Sequence, residues 1–158
     1  MKNTFRCKCP ITSALDILGD KWSLVVIKQM MFEGKSTFKD FAESAESIAT
    51  NILTTRLKML EDFGIIDKQK LPTNRKTNIY TLTLKGLSLI PVLIELTLWS
   101  KYHVKEFNPD LNLDEQLEWV EKNKEQAFGQ IAENYNTHKE SILKPNKDET
   151  LIEGSEIN

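Results

Sequence analysis

The hydrophobic pattern of this chain changes period twice, at Gly64 and again at Thr83, and these two switches restrict the folds open to it. Before Gly64 the apolar residues recur at helical spacing. Ile11, Ala14, Leu15, Ile17 and Leu18 mark a helix from Pro10 to Leu18 that Gly19-Asp20 closes. A second helix runs from about Trp22 to Phe32 and ends at Glu33-Gly34-Lys35, and Phe38, Phe41 and Ala42 define a short third one. Ser44 to Ser47 reads as a tight turn, and a fourth helix extends from about Thr50 to Phe63 before Gly64 stops it. Between the two switches the pattern is extended. Ile65 to Lys70 and Thr77 to Leu82 are strand-like runs, with Pro72-Thr73-Asn74-Arg75 between them as the basic tip of a hairpin. Thr83 then caps a fifth helix reaching about Val104, which Pro91 is expected to kink. Four helices, a basic hairpin and a helix describe a mainly α fold with a small β-hairpin wing, a winged helix-turn-helix.

Charge supports a surface for polyanions once it is divided by position. The 158-residue chain has a formal net charge of -2. Residues 1 to 104 carry 15 Lys and Arg against 10 Asp and Glu, whereas residues 105 to 158 carry 6 against 13. A basic body is masked by an acidic tail. Within the body Arg56, Lys58, Lys68, Lys70, Arg75, Lys76 and Lys85 share a stretch whose acids are Glu61, Asp62 and Asp67, the local excess expected of a phosphate-binding face. A merely solvated face is the alternative that charge alone leaves open.

The fourth helix, with the basic hairpin beside it, favours the phosphate-binding face. Asn51, Thr54, Thr55 and Lys58 fall at i, i+3, i+4 and i+7, a polar stripe that Thr50 extends at the helix start, with Leu53, Leu57 and Leu60 on the opposite side. The stripe has no acid before Glu61. Asn can pair with an adenine edge, Thr offers a hydroxyl and a methyl to thymine, and Lys58 can meet a phosphate. Lys68, Lys70, Asn74, Arg75, Lys76 and Thr77 are the matching contacts expected from the wing. Arg56 lies off the stripe, so an ion pair or helix cap inside the protein is expected for it.

The residues also resemble a known family. Cys9-Pro10-Ile11, Ala14-Leu15-Asp16 and Gly19-Asp20-Lys21-Trp22 look like the opening of HxlR-type winged helix-turn-helix transcriptional regulators, relatives of the MarR group. Phe38 to Phe41, Ile48 to Leu53, Arg56-Leu57, Leu60-Glu61, Gly64-Ile65, Tyr80 to Thr83, Gly86, Pro91 to Leu93 and Trp99 continue the likeness over residues 6 to 104. The resemblance implies a homodimeric, sequence-specific DNA-binding regulator, with the fourth helix in the major groove and terminal helices at the dimer interface. The fifth helix agrees, being apolar nearly all round. A domain this small is expected to need a second protomer to cover Leu89, Val92, Leu93, Leu96 and Trp99. A two-fold dimer sets its recognition helices about 34 Å apart, so the operator should be an inverted repeat of double-stranded DNA. Many members have Ser where this chain has Ala49. The cap of the recognition helix then falls to Ser47 or Thr50.

Cys9 aligns with a family Cys that serves some members as a sensor of oxidants or electrophiles. Arg6, Lys8 and the helix start favour its thiolate, the reactive form. Cys7 is the other cysteine, close enough to Cys9 to close a small strained ring, so a disulfide between protomers is the alternative to one within a chain. A packing Cys at a helix start is equally consistent with the residues, and the effector is open.

Residues 1 to 107 therefore read as the DNA-binding and dimerisation unit, and residues 108 to 158 as an acidic extension. The extension is expected to hold one long amphipathic helix, about 113–143, with Asp114 and Glu115 in its first turn, and a disordered end. It could pack back on the dimer helices. No membrane anchor is expected, because Leu87 to Trp99 spans 13 residues where a bilayer needs about 20. The opening residues lack the apolar run of a secretion signal, which points to the cytoplasm. No enzyme, metal or cofactor is expected either: His103 and His138 lie far apart, and neither zinc spacing nor a phosphate loop occurs. The competing functional reading is a winged-helix module for protein interaction that does not read DNA sequence.

Overall fold

A computed structural model describes residues 5–72, 74–111 and 116–144. Helix α1 spans Pro10–Leu18, with Pro10 in the first turn, where its missing N–H costs nothing. Helix α2 spans Ser23–Glu33 and is capped by Asp20, which accepts from the N–H of Trp22 at 2.8 Å and of Ser23 at 3.0 Å. Gly34 ends it at φ 65, the left-handed conformation that glycine adopts without strain. Helix α3, Phe38–Ala42, begins at a capping box in which Thr37 and Asp40 satisfy one another's backbone N–H groups. The turn at Ser44 to Ser47 is present, closed by the Ser47 N–H donating to the Ser44 carbonyl at 2.9 Å. Helix α4, Thr50–Asp62, ends one residue before Phe63, and Gly64 follows at φ 66.

Strands β1, Ile66–Leu71, and β2, Asn74–Leu82, pair antiparallel from Ile66↔Leu82 to Lys70↔Asn78, and the register shifts before Leu71↔Asn74. β2 thus begins three residues earlier than the sequence pattern suggests. Arg75 and Lys76 are carried on a strand, within the register shift between Asn74 and Asn78, and not on a loop tip.

Two helical expectations are corrected. The fifth helix is not one kinked rod. It divides into α5, Leu84–Leu87, and α6, Ile90–His103, and Pro91 occupies the first turn of α6. The proline starts a new helix there because that position has no intrahelical N–H bond to lose. The long tail helix is likewise two, α7 at Leu117–Lys122 and α8 at Lys124–Leu143. The break is Asn123, at φ -130 and ψ 44, whose side-chain amide donates to the Trp119 carbonyl at 2.9 Å. Asn stabilises such a non-helical residue by local side-chain to backbone bonding. The expected helix start with Asp114 and Glu115, Thr73 of the hairpin and the segment 145–158 lie outside the described residues.

The core joins all of these elements. Val26, Ile27 and Met30 of α2, Phe41 of α3, Leu53, Leu57 and Leu60 of α4, and Ile66 and Leu82 of the hairpin are buried together. Leu93, Ile94 and Leu98 of α6 extend that core, and Leu117 and Tyr135 of the tail complete it. The tail does pack back. Ion pairs Lys101–Glu121 at 2.8 Å and Lys124–Glu95 at 2.6 Å frame the contact with α6. Close packing also explains Gly86: a Cβ there would stand 2.4 Å from the Ile65 carbonyl oxygen.

Candidate nucleic-acid interface

Helix α4 presents its stripe as the spacing requires. Thr50, Asn51, Thr54, Thr55 and Lys58 are all exposed, while Leu53, Leu57 and Leu60 on the opposite side are buried. Burial of the leucine face fixes the rotation of the helix, so the polar face is aimed outward by the core itself. The Thr54 hydroxyl donates to the Thr50 carbonyl at 2.8 Å and the Thr55 hydroxyl to the Asn51 carbonyl at 2.9 Å. Their oxygens keep lone pairs for an incoming donor. Asn51 has no bond through its side chain among the described residues, and its amide can both donate and accept. Lys58 pairs with Asp62 at 3.1 Å across an exposed helix turn, a contact of about 0.3–0.5 kcal/mol that a phosphate can displace.

The start of α4 departs from expectation. Neither Ser47 nor Thr50 supplies a cap: Ala49 sits at the N-cap with extended backbone and no side-chain bond. Ser47, at φ 53, turns its hydroxyl toward the Ala45 carbonyl instead. The first N–H groups of α4 therefore have no side-chain acceptor within the described protein, and such a helix end attracts anions through its dipole. Arg56 behaves as its wheel position suggests, with Nε 3.2 Å from Asp20 Oδ1. Its alignment is that of a charge pair and not of a directed hydrogen bond, because Nε has no acceptor in line.

On the hairpin, Lys70, Asn74, Arg75 and Lys76 are exposed and Thr77 is half-buried. Asn74 also shapes the turn, its Oδ1 accepting from the Lys76 N–H at 3.1 Å. Lys68 stands 5.8 Å over the Tyr80 ring, so part of its role is to cover that aromatic surface. Lys85, counted in the basic stretch, donates to the Phe63 carbonyl at 2.7 Å and closes the end of α4.

The outer edge of β2 is held by features that no local pattern announced. The Tyr80 N–H donates to the Ser36 carbonyl at 2.7 Å. One turn of strand later, the Leu82 N–H donates to Tyr135 Oη at 2.6 Å and the Leu82 carbonyl accepts from Lys139 at 3.0 Å. The base of the wing is thus gripped by α8. Burial pushes the Tyr135 phenol up from its ordinary value.

The apolar residues assigned to a dimer face divide into three groups. Val92, Leu96 and Trp99 are exposed at i, i+4 and i+7 of α6, and Tyr102 continues the stripe. Leu89 is half-buried. Leu93 is a correction: it is 7% exposed, buried in its own chain's core, because α7 and α8 cover that side of α6. Ile11 and Leu15 on α1 are also exposed, at 72% and 53%.

Cys7 and Cys9 are exposed free thiols ahead of α1. The Thr12 N–H, then the Thr12 hydroxyl and the Ile11 N–H, hold the Cys9 thiol below the usual range. The Cys9 N–H in turn donates to Cys7 Sγ at 3.4 Å. Among the described residues there is no group of three His, Cys, Asp or Glu able to hold a metal. No described helix is long and apolar enough to cross a membrane.

Residues 17–108 match the model of the HxlR-like helix-turn-helix family. The HTH-type transcriptional regulator YodB of Bacillus subtilis (strain 168) is 38% identical over 93 residues, 58% of this chain and 82% of that protein. Its structure in the reduced form superposes with TM-score 0.51 at 32% identity, over 67% of this chain and 100% of the other, and a quinone-bound form gives 0.50. The structure of PA1607 gives TM-score 0.60 at 31% identity, covering 69% of this chain and 73% of that one. The redox regulator HypR in its oxidized form gives 0.53 at 29% identity, over 60% and 97%.

Proposed function

We propose, from the premise that this chain belongs to the HxlR-like helix-turn-helix family and is a DNA-binding transcriptional regulator, that it reads an inverted-repeat operator as a homodimer and releases it when Cys9 reacts. The observation carrying the DNA reading is the exposed, acid-free stripe of Thr50, Asn51, Thr54, Thr55 and Lys58 on a helix whose rotation the core fixes. Asn51 and the threonines read base edges in the major groove. Lys58 and the uncapped helix start meet phosphates. Lys70, Arg75 and Lys76 of the wing neutralise the flanking backbone, with Asn74 and Thr77 adding polar contacts and Lys68 a charge partly engaged over the Tyr80 ring.

The dimer is supported by Val92, Leu96 and Trp99, which remain exposed after α7 and α8 have covered the Leu93 side of α6. Residues 1–107 form the reading and dimerisation unit, and 108–158 the extension. The protein works in the cytoplasm, where its operator is accessible, and performs no catalysis. Thiol sensing is supported by the lowered pKa of Cys9 and by relatives described as a redox regulator and as a quinone-bound regulator. Its chemistry is nucleophilic attack by the Cys9 thiolate on an electrophile, or oxidation to a disulfide with Cys7 or with a partner's thiol, the two electrons and two protons passing to an external oxidant such as a peroxide or a diazene.

Titration of DNA flanking its own gene at several salt concentrations tests the reading. Log K should fall by about 0.9 per phosphate neutralised per log unit of salt, and Arg75→Ala with Lys76→Ala should lower the slope by about 2. Asn51→Ala should reduce discrimination between operator and random duplex more than it reduces total affinity. Salt-insensitive or absent binding would sink the proposal, and a monomer in sedimentation at the binding concentration would remove the inverted repeat.

A further inference from the structure

The tail does not seal the surface it covers. A cavity of about 600 Å³ opens between α2, α6, α7 and α8, walled by Phe32, Leu93, Thr97, Leu117, Val120 and Ile131. Sites for small molecules run from about 300 to 1,000 Å³ and are mainly apolar with a few placed polar groups. This cavity has that character. Two of its walls come from α7 and α8, beyond the residues 17–108 that match the family, so it is a property of this chain's extension.

Its polar groups specify the occupant. Lys28 reaches the rim, but its ammonium is already held by the carboxylates of Glu33 and Glu46, so no unmet charge calls for an anion. The Ser100 hydroxyl lines the cavity with no hydrogen-bond partner among the described residues. Gln116 also lines the cavity and is already engaged, so a ligand suited to these walls carries no charge and one group for Ser100. The cavity also connects to the reading surface. Ile131 stands one helical turn from Tyr135, whose oxygen holds the Leu82 N–H of β2 at 2.6 Å.

We propose that this cavity binds an uncharged, largely apolar small molecule whose single hydrogen-bonding group meets Ser100, and that its occupancy is transmitted through α8 to the wing. This names the chemical class of an effector and rests on the DNA-binding reading above. The probe is N-phenyl-1-naphthylamine, a neutral diaryl amine whose emission rises when it leaves water. The full chain should bind it saturably at one site per protomer. Ser100→Ala should weaken binding about fivefold, the worth of one neutral hydrogen bond. Ile131→Trp, with its fold checked by circular dichroism, should abolish binding by filling the cavity. Saturating probe should change the affinity for DNA flanking the gene by at least about fivefold.

Absent or unsaturable binding overturns the site, as does an Ile131→Trp protein that folds and binds the probe like the unaltered chain. Should that variant not fold, unchanged binding by Ser100→Ala overturns it instead. Probe binding that leaves DNA affinity unchanged overturns the transmission. A chain that binds probe but never DNA refutes the DNA-binding reading and leaves the site standing, so the two failures are distinguishable.

Discussion

Replacing Tyr135 by Phe removes one oxygen and keeps the ring, which makes it a direct measure of what α8 contributes at the base of the wing. Tyr135 is 5% exposed and Leu82 1%, and the Leu82 N–H has Tyr135 Oη as its partner at 2.6 Å. In Tyr135→Phe that N–H is left buried without an acceptor. The penalty is the desolvation of the orphaned group, about 1–3 kcal/mol, and not the smaller net worth of an average exposed bond. The ring contacts persist, so no large cavity cost adds to it. Taking about 2 kcal/mol and a urea slope of about 2 kcal/mol/M, the unfolding midpoint should fall by about 1 M. Protein concentration must be held fixed, because dimerisation contributes to apparent stability. Amide exchange at Leu82 should accelerate in parallel. A midpoint shift under about 0.2 M, or about 0.4 kcal/mol at that slope, would refute the claim that α8 satisfies a buried strand edge.

Three further outcomes follow from other sites. The hydrogen bond from Lys28, assisted by Gln29, holds the Glu46 carboxyl at about 2 instead of 4.5. A depressed folded value stabilises above the unfolded one and is lost as pH falls through the folded one. Acid unfolding should therefore steepen between pH 4.5 and about 2, and Glu46→Gln should flatten that limb in a pH-resolved denaturation series. In Gly86→Ala the helix preference of Ala, worth about 1 kcal/mol, is overruled by a Cβ 2.4 Å from the Ile65 carbonyl oxygen, so denaturant unfolding should show a loss of about 1–3 kcal/mol. A stabilised Gly86→Ala would contradict that packing. In a Cys7→Ser background, alkylation of Cys9 by iodoacetamide should rise with pH along a sigmoid whose midpoint lies below the ordinary thiol value of 9.0, since the thiolate reacts and the Thr12 backbone bond favours it. A midpoint at or above that value would show no activation. Loss of DNA under diamide by Cys9→Ser as readily as by the unaltered chain would end the sensor role.

The amino-acid order by itself determined the local features. Gly34 and Gly64 end α2 and α4 in left-handed backbone, and the change from helical to alternating pattern after Gly64 marks the hairpin. The leucine spacing of α4 determined its outward stripe, because a period of 3.6 assigns faces without reference to any partner. Even the pairing of Arg56 followed from its angle on the wheel. Tertiary structure alone decided what depends on contacts distant in the chain. Pro91 could kink a helix or begin one, and packing of α6 selected the second. Leu93 looked like its exposed neighbours Val92 and Leu96 until α7 and α8 covered it. The tail's grip on Leu82 and the cavity beneath it have the same origin. Periodicity records which face of a segment is apolar, whereas the occupant of that face is chosen by elements distant in the chain, such as Tyr135 on Leu82 with a separation of 53.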